Sequence, residues 1–311
     1  MSEADAPSAL SARLVRDHSA GLVRLVGTPL GAAGAVIVVT MTTLAVLAPL
    51  IAPYDPLAIS LGQKLLPPSM SHLMGTDQTG RDVFSRVLWG ARVSLSIGVM
   101  AAAIGLFFGA FFGILAAFYA GSLLDQAVMR TMDVLASIPL LVWAIAVAGV
   151  IGVGPVHLGP VSLGSEAKII LLVGFLYTPS IARVAYGAAL VEAAADYVRA
   201  RRAQGAGNMI LMFDEILPNC LSPLIVQVTL YVAIGIVVEA SLSFVGLGVQ
   251  PPTPSWGVML SDARNYVLSG EWWLPLFPGV FISITVIGFN VLGDALRDTL
   301  DPRGRASRIV V

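Results

Sequence analysis

The chain has 311 residues, of which 57% are hydrophobic and only 12% charged, with a net charge of −1 and a mean hydropathy of +0.85. A soluble domain carries about 25% charged residues, so this surface is built to meet lipid, and the near-neutral balance argues against nucleic acid as a partner. Cys220 is the single cysteine, which rules out an internal disulfide, and His18, His72 and His157 are too scattered to form a metal site.

Residues 1–29 read as a polar tail carrying Arg13, Arg16 and Arg24. The apolar run that follows, 30–52, is too long for the core of a signal peptide and is read as a retained anchor. Five further runs, 92–119, 132–152, 167–187, 222–247 and 274–296, are each long enough to cross a bilayer, which takes about 20 helical residues. Such spans must satisfy their backbone hydrogen bonds internally, so the expected class is an all-α polytopic membrane protein with six transmembrane helices.

With both termini inside, twelve basic residues fall on inner pieces and six on outer ones, the positive-inside bias. That orientation makes 53–91 an outer segment, 188–221 an inner loop and 297–311 an inner tail, with the remaining core over 92–296. A second outer stretch holds GVQPPTPSWGVML and then EWWLPLFPG. Pro251, Pro252 and Pro254 forbid a regular helix there, and Trp256, Trp272 and Trp273 suit the headgroup zone. These tryptophans read either as interfacial anchors or as part of a landing surface for an outside protein.

Within the second span, Ala101, Gly105, Gly109, Gly113, Ala117 and Gly121 place a small residue at every fourth position, a pattern that lets helix backbones approach closely in lipid. Pro139 and Pro179 should bend the third and fourth spans. Glu239, in the middle of IGIVVEASLSF, must face protein or water rather than lipid tails, as a transport-path residue or as an interhelical hydrogen-bonding group.

Catalytic signatures are absent. A phosphate-binding Walker loop needs Gly-Lys-Ser/Thr, but Lys64 and Lys168, the only lysines, follow Gln63 and Ala167. No HExxH, CxxC or GxSxG occurs. The chain is not expected to be an enzyme, so uphill movement of a solute would draw on an ion gradient or on another subunit.

The most informative stretch is RARRAQGAGNMILMFDEILPN, 199–219. Asp196 and Arg199 share one face of a short helix reaching about Gln204, and Gly205-Ala206-Gly207 breaks it. Asn208 is the expected N-cap of a second helix, which Pro218 is expected to end. Met209, Ile210, Met212 and Phe213 give that helix an apolar face suited to another protein's groove.

The spacing from Gly205 to Ile216-Leu217-Pro218 resembles the EAA loop of permease subunits in binding-protein-dependent ABC importers. The wider chain is similar to the C-type subunit of the dipeptide, oligopeptide and nickel branch. The matching segments are HLMGTDQTGRDVFSRVLWGARVSLSIG, GSLLDQAVMRTMDVLASIP, DYV, ILPNCLSPLIVQ, EASLSFVGLGVQPPTPSWGVML and NVLGDALRDTLDPR. The resemblance implies a type I ABC importer (MetI-like) fold, N-in and C-in, in the cytoplasmic membrane of a prokaryote. It implies a homologous second permease, two ATPase subunits that bind the ATP and Mg, and an outer solute-binding protein, with no cofactor or metal in this chain.

Arg199, Ala200, Arg201, Gly205, Ala206 and Asn208 would then belong to the ATPase-coupling loop, with Met209, Met212, Phe213, Ile216, Leu217 and Pro218 completing it. Glu239, Ser241, Ser243 and Phe244 are candidates for the substrate path, and Asp77, Arg81, Asp82 and Trp256 for docking of the binding protein. The loop departs from the family pattern. Arg199-Ala200-Arg201 stands where the motif has Glu-Ala-Ala, and Asp214-Glu215 stands where a basic pair is common. Either the two arms attract with reversed polarity, or an arginine meets an acidic patch on the ATPase. Peptide is the expected cargo, with nickel, glutathione or another small solute as alternatives. A proton-driven secondary transporter working through Glu239 and a non-transporting scaffold are the rival classes.

Overall fold

The computed structural model describes residues 28–300 apart from 153, 155, 159, 160 and 268, so the N-terminal tail and residues 301–311 lie outside the described residues. The chain forms helices α1 (Pro29–Ile51), α2 (Val83–Phe118), α3 (Leu123–Ser137), α4 (Leu140–Ile151), α5 (Ser165–Ala193), α6 (Asp196–Ala203), α7 (Asn208–Phe244), α8 (Trp256–Ala263) and α9 (Trp273–Leu300). A two-stranded antiparallel hairpin, β1 (Val156–Leu158) and β2 (Val161–Leu163), pairs His157 with Ser162 between α4 and α5. Apart from that short hairpin the regular structure of the described residues is helical, as expected.

Five of these helices are long and apolar enough to cross a membrane, or six if the bent pair α3 and α4 is taken as one span. The bend is 86° and falls at Pro139, where one is expected, although the helical pair starts at Leu123 rather than near 132. Its cause is local: Pro139 has no N–H to continue the ladder and forces Ile138 into an extended conformation (φ −96°, ψ 126°). Pro179, by contrast, is accommodated inside α5.

The second span starts at Val83 rather than near 92, because the Asp82 side chain caps it by accepting from the Ser85 N–H. At 36 residues, α2 is about 54 Å long at ~1.5 Å per residue, so its first turns stand clear of a hydrocarbon core about 30 Å thick.

α2 is the spine of the bundle, and its most extensive partner is α5. The small-residue row explains how. A methyl group added at Gly109 would come within 2.7 Å of Ile181 Cβ, and one at Gly113 within 2.4 Å of the Ala182 carbonyl oxygen. Lipid gives apolar side chains no reason to associate, so close backbone approach must supply the dispersion contacts that hold the pair. Gly121 does not extend the row; it ends the helix with φ +80°. On the other side of α2, Gly98 crosses Gly235 of α7, and α1 packs on α9 where Gly288 meets Ile37.

Candidate functional site

At one end of the bundle α5 gives way to α6, whose C-terminus closes in a Schellman turn. Gly205, at φ +88°, occupies the left-handed position that a β-carbon disfavours. The Gly205 N–H donates to the Arg202 carbonyl at 3.0 Å, and the Ala206 N–H to the Arg201 carbonyl at 3.1 Å. Arg201 and Arg202 lie in the last turn, where they complement the helix dipole.

Beyond the turn, the second helix does not stop at Pro218. It runs without a break from Asn208 into the fifth span as α7, with a wider π-helical segment over Leu211–Ile216. The Leu217 N–H reaches back to the Met212 carbonyl, one residue further than an α-helix requires. Pro218 occupies the first turn of the α-helical continuation, where it lacks only a donor that the widened turn does not use. Asn208 is likewise not the N-cap. Gly207 fills that place, and the Asn208 amide donates to the Tyr119 hydroxyl at 3.3 Å, at the end of α2.

The π segment sorts the apolar side chains into two sets. Leu211, Met212 and Ile216 turn inward and pack with Val198, Cys220 and Leu224, while Met209 (69% exposed), Ile210 and Phe213 (37%) face outward. Met212 and Ile216 therefore anchor the loop and do not offer a docking surface.

A polar clasp ties the two arms together. Arg201 Nε donates to Glu215 Oε1 at 2.7 Å, uniting two positions where the loop departs from the family pattern, Arg201 in place of an Ala and Glu215 in place of a basic residue. Tyr197 donates its hydroxyl proton to Glu192 at 2.7 Å and accepts from the Asn219 amide at 3.1 Å. Asn219 also donates to the Glu215 carbonyl at 2.7 Å. Burial and the Glu192 hydrogen bond hold the Tyr197 phenol well above its ordinary value, so it remains a proton donor. Arg202 lies over the Phe118 ring at 5.3 Å, a second contact with the end of α2. Arg199 pairs with Asp196 at 3.5 Å, and both are largely exposed. Tyr197 and Asn219 were missed in the sequence. An aromatic residue in an otherwise polar eight-residue helix was the available signal.

The other predicted sites are placed differently. Glu239 is fully buried, as are Ser243 and Ser94. Its carboxylate accepts from Ser94 Oγ at 2.7 Å and from Ser243 Oγ at 2.8 Å. The Ser94 contact crosses from α7 to α2, an interhelical hydrogen bond, and both Glu239 and Ser243 are enclosed within this subunit. Ser241 and Phe244 lie exposed on another side of the same helix, and Ser241 bonds back to the Val237 carbonyl.

At the far end of the bundle, Asp77, Asp82 and Trp256 are buried and work as internal struts. Asp77 accepts from the Thr79 N–H, the Thr79 hydroxyl and the Arg81 N–H, and it pairs with the buried Arg86, which also reaches Asp262 at 3.3 Å. Burial alone would raise the Asp77 pKa. The Arg86 charge and these hydrogen bonds outweigh it and hold the carboxyl below its usual 3.8. Asp82 binds His72 Nδ1 at 2.9 Å as well as capping α2. Trp256 and Trp273 are core residues whose indole N–H groups donate to the Val87 and Thr76 carbonyls, so of the three tryptophans only Trp272 is exposed. Arg81 is half-buried.

A bent-span helical bundle with a rigid two-armed loop at one end is the frame of a membrane permease. Residues 109–306 match the family described as binding-protein-dependent transport system inner membrane component, and residues 22–68 match the N-terminal transmembrane domain of oligopeptide transport permease C. The chain belongs to the first of these families, as a multi-pass permease of the cytoplasmic membrane rather than an enzyme. Among its relatives is the probable D,D-dipeptide transport system permease protein DdpC of Escherichia coli, 42% identical over 90% of this chain and 89% of that protein. The dipeptide transport system permease protein DppC of Bacillus subtilis is 40% identical over 91% and 84%. The MetNI methionine ABC transporter, solved in inward-facing conformations, contains a chain with the same fold. Its TM-score is 0.54 at 21% identity, over 70% of this chain and 98% of that one.

Proposed function

We propose that this chain is one permease subunit of an ATP-driven importer that moves di- and oligopeptides inward across the cytoplasmic membrane. Its partners are a homologous second permease, two ATPase subunits that bind ATP and Mg, and an outer solute-binding protein. The observation that carries this reading is the loop over 199–219. Met209, Ile210 and Phe213 present an apolar face outward, while Leu211, Met212 and Ile216 root the same helix in the core and the Arg201–Glu215 clasp fixes its angle. A free surface has little use for three such side chains, whereas a groove on a partner does. The excess of basic residues on this side supports its facing the cytoplasm. Movement of the ATPases would pass through the rooted helix to the bundle as a rigid-body rotation, giving alternating access between the two permeases.

Peptide cargo is supported by the relatives, whose names specify dipeptide transport. The premise of a proton-driven carrier is weakened because Glu239 is enclosed and held by serine hydroxyls. The test is to purify the chain with its ATPases from native membranes and reconstitute it with its binding protein. ATP hydrolysis is then measured across a panel of peptides, glutathione and nickel. Stimulation by peptides is the expected result. Stimulation by nickel or glutathione alone refutes the cargo, and failure to copurify an ATPase refutes the importer.

A further inference from the structure

The enclosed carboxylate of Glu239 sits at the opposite end of the same unbroken helix that carries the coupling surface. α7 begins at Asn208, beside Met209 and Phe213, and ends at Phe244, five residues beyond Glu239. Over that far end folds the proline-rich segment 245–255, which leads into α8. The approach is close: a methyl group at Gly248 would fall 2.2 Å from Ser243 Oγ, and one at Gly257 would fall 2.6 Å from Ala240 Cα.

Two serines form relays between this segment and the carboxylate. Ser243 Oγ accepts from the Val249 N–H at 3.0 Å and donates to Glu239 at 2.8 Å. Ser94 Oγ, from α2, accepts from the Trp256 N–H at 3.3 Å and donates to Glu239 at 2.7 Å. A hydroxyl has a single hydrogen, so in each relay the carboxylate consumes that hydrogen and turns a lone pair toward the backbone of the segment. The segment is thus held near both its ends, at Val249 and at Trp256, by one acceptor. α8 continues the connection, since its Asp262 pairs with Arg86 and through it with Asp77.

We propose that α7 is a strut joining the coupling surface to this cap, and that Glu239 is the positioning residue that pins the cap to the strut. Movement delivered at Met209 and Phe213 then carries the segment 245–263 with it instead of sliding beneath it. The consequence for uptake rests on the importer reading; the pin itself does not. A glutamine in place of Glu239 keeps the shape but presents an amide donor to one of the two serines, so that serine's hydroxyl hydrogen loses its acceptor and the relay through it is weakened.

The test uses the assembled importer in membranes. Val249 is 2% exposed, and the one native thiol, Cys220, is fully buried. In a V249C chain the new thiol should react slowly with a water-soluble maleimide. Adding Glu239→Gln should speed labelling about tenfold, as expected when a buried hydrogen bond is lost, and lower the solute taken up per ATP hydrolysed. Ser94→Ala, which removes one relay and leaves the carboxylate in place, should give an intermediate rate and decides the matter if Glu239→Gln fails to assemble. Unchanged protection in the variant that assembles overturns the pin. Faster labelling with an unchanged uptake-to-hydrolysis ratio overturns the strut. If the parental complex transports nothing, the importer reading has failed, and labelling alone still decides the pin.

Discussion

Reversing the Arg201–Glu215 pair separates the two explanations of the altered loop. The contact is 2.7 Å between Nε and Oε1, with the side chains 47% and 21% exposed. Solvent screening at that exposure limits the attraction to about 0.2–1 kcal/mol, and a like-charge pair repels by a similar amount. Arg201→Glu or Glu215→Arg alone should then shift the balance between clasped and open loop by up to about 2 kcal/mol, roughly thirtyfold. Arg201→Glu together with Glu215→Arg restores the attraction with its sign inverted. ATP-driven uptake and ATPase copurification, measured in the same vesicles, should fall in each single variant and return to within about twofold of the parent in the double. The reasoning is refuted if the double variant is no better than the worse single one. Arg201 would then be answering a charge on the ATPase and not Glu215.

Gly109→Val should destabilise the detergent-solubilised protein by at least about 1–3 kcal/mol, because its β-carbon would meet Ile181 Cβ at 2.7 Å; Gly149→Ala, with nothing within 4 Å, should leave the melting temperature unchanged. Arg86→Met leaves the Asp77 carboxylate buried beside Asp262 without its cation, a loss of about 3–5 kcal/mol in thermal melts. The pH profile of those melts checks the sign. Asp77 has a depressed pKa in the parent, so its contribution is complete above the unfolded value near 3.8 and is lost only as the pH falls through the lower folded value. In Arg86→Met the lowering charge is gone and that pKa moves up, so the stability gap between variant and parent should narrow as the pH falls into the acid range; parallel profiles would contradict the assignment.

The spans were legible because hydropathy reports the solvent directly, and the small-residue row announced a close helix contact. Which helix fills the row was not legible, because Ile181 and Ala182 carry no mark of their partner. Two errors have one local origin. In a uniform α-helix Met209, Met212 and Phe213 share a face, and a proline at 218 reads as a stop. The π segment turns Met212 inward and spares Pro218 the hydrogen bond it cannot make. Trp256 and Trp273 were misjudged, and Glu239 was left between two readings, for a different reason. A polar group near a membrane boundary belongs to the core or to the surface according to partners far away in sequence. Ser94 is 145 residues from Glu239, and the Val87 carbonyl is 169 from the Trp256 indole.

The charge reversal is instructive because sequence distance and spatial distance part company only modestly there. Arg201 and Glu215 are 14 residues apart, and the Schellman turn at Gly205 folds one arm back along the other. A pair brought together by so local a device needs only opposite charges on its two members, and Arg201, where the motif has Ala, supplies the cation that Glu215 accepts from. What changes is the field the loop shows to a partner, since Arg199 stands in place of the motif's acid, Arg202 lies over the Phe118 ring, and Glu215 is already paired with Arg201. An ATPase matched to this loop therefore has to tolerate or complement positive charge beside the groove that receives Met209 and Phe213. Substituting the ATPase of a relative with the unreversed motif should weaken association in the parental chain. Arg199→Glu with Arg202→Glu should recover it, even though neither change touches the clasp. Equal association before and after those substitutions would mean that the apolar face alone selects the partner.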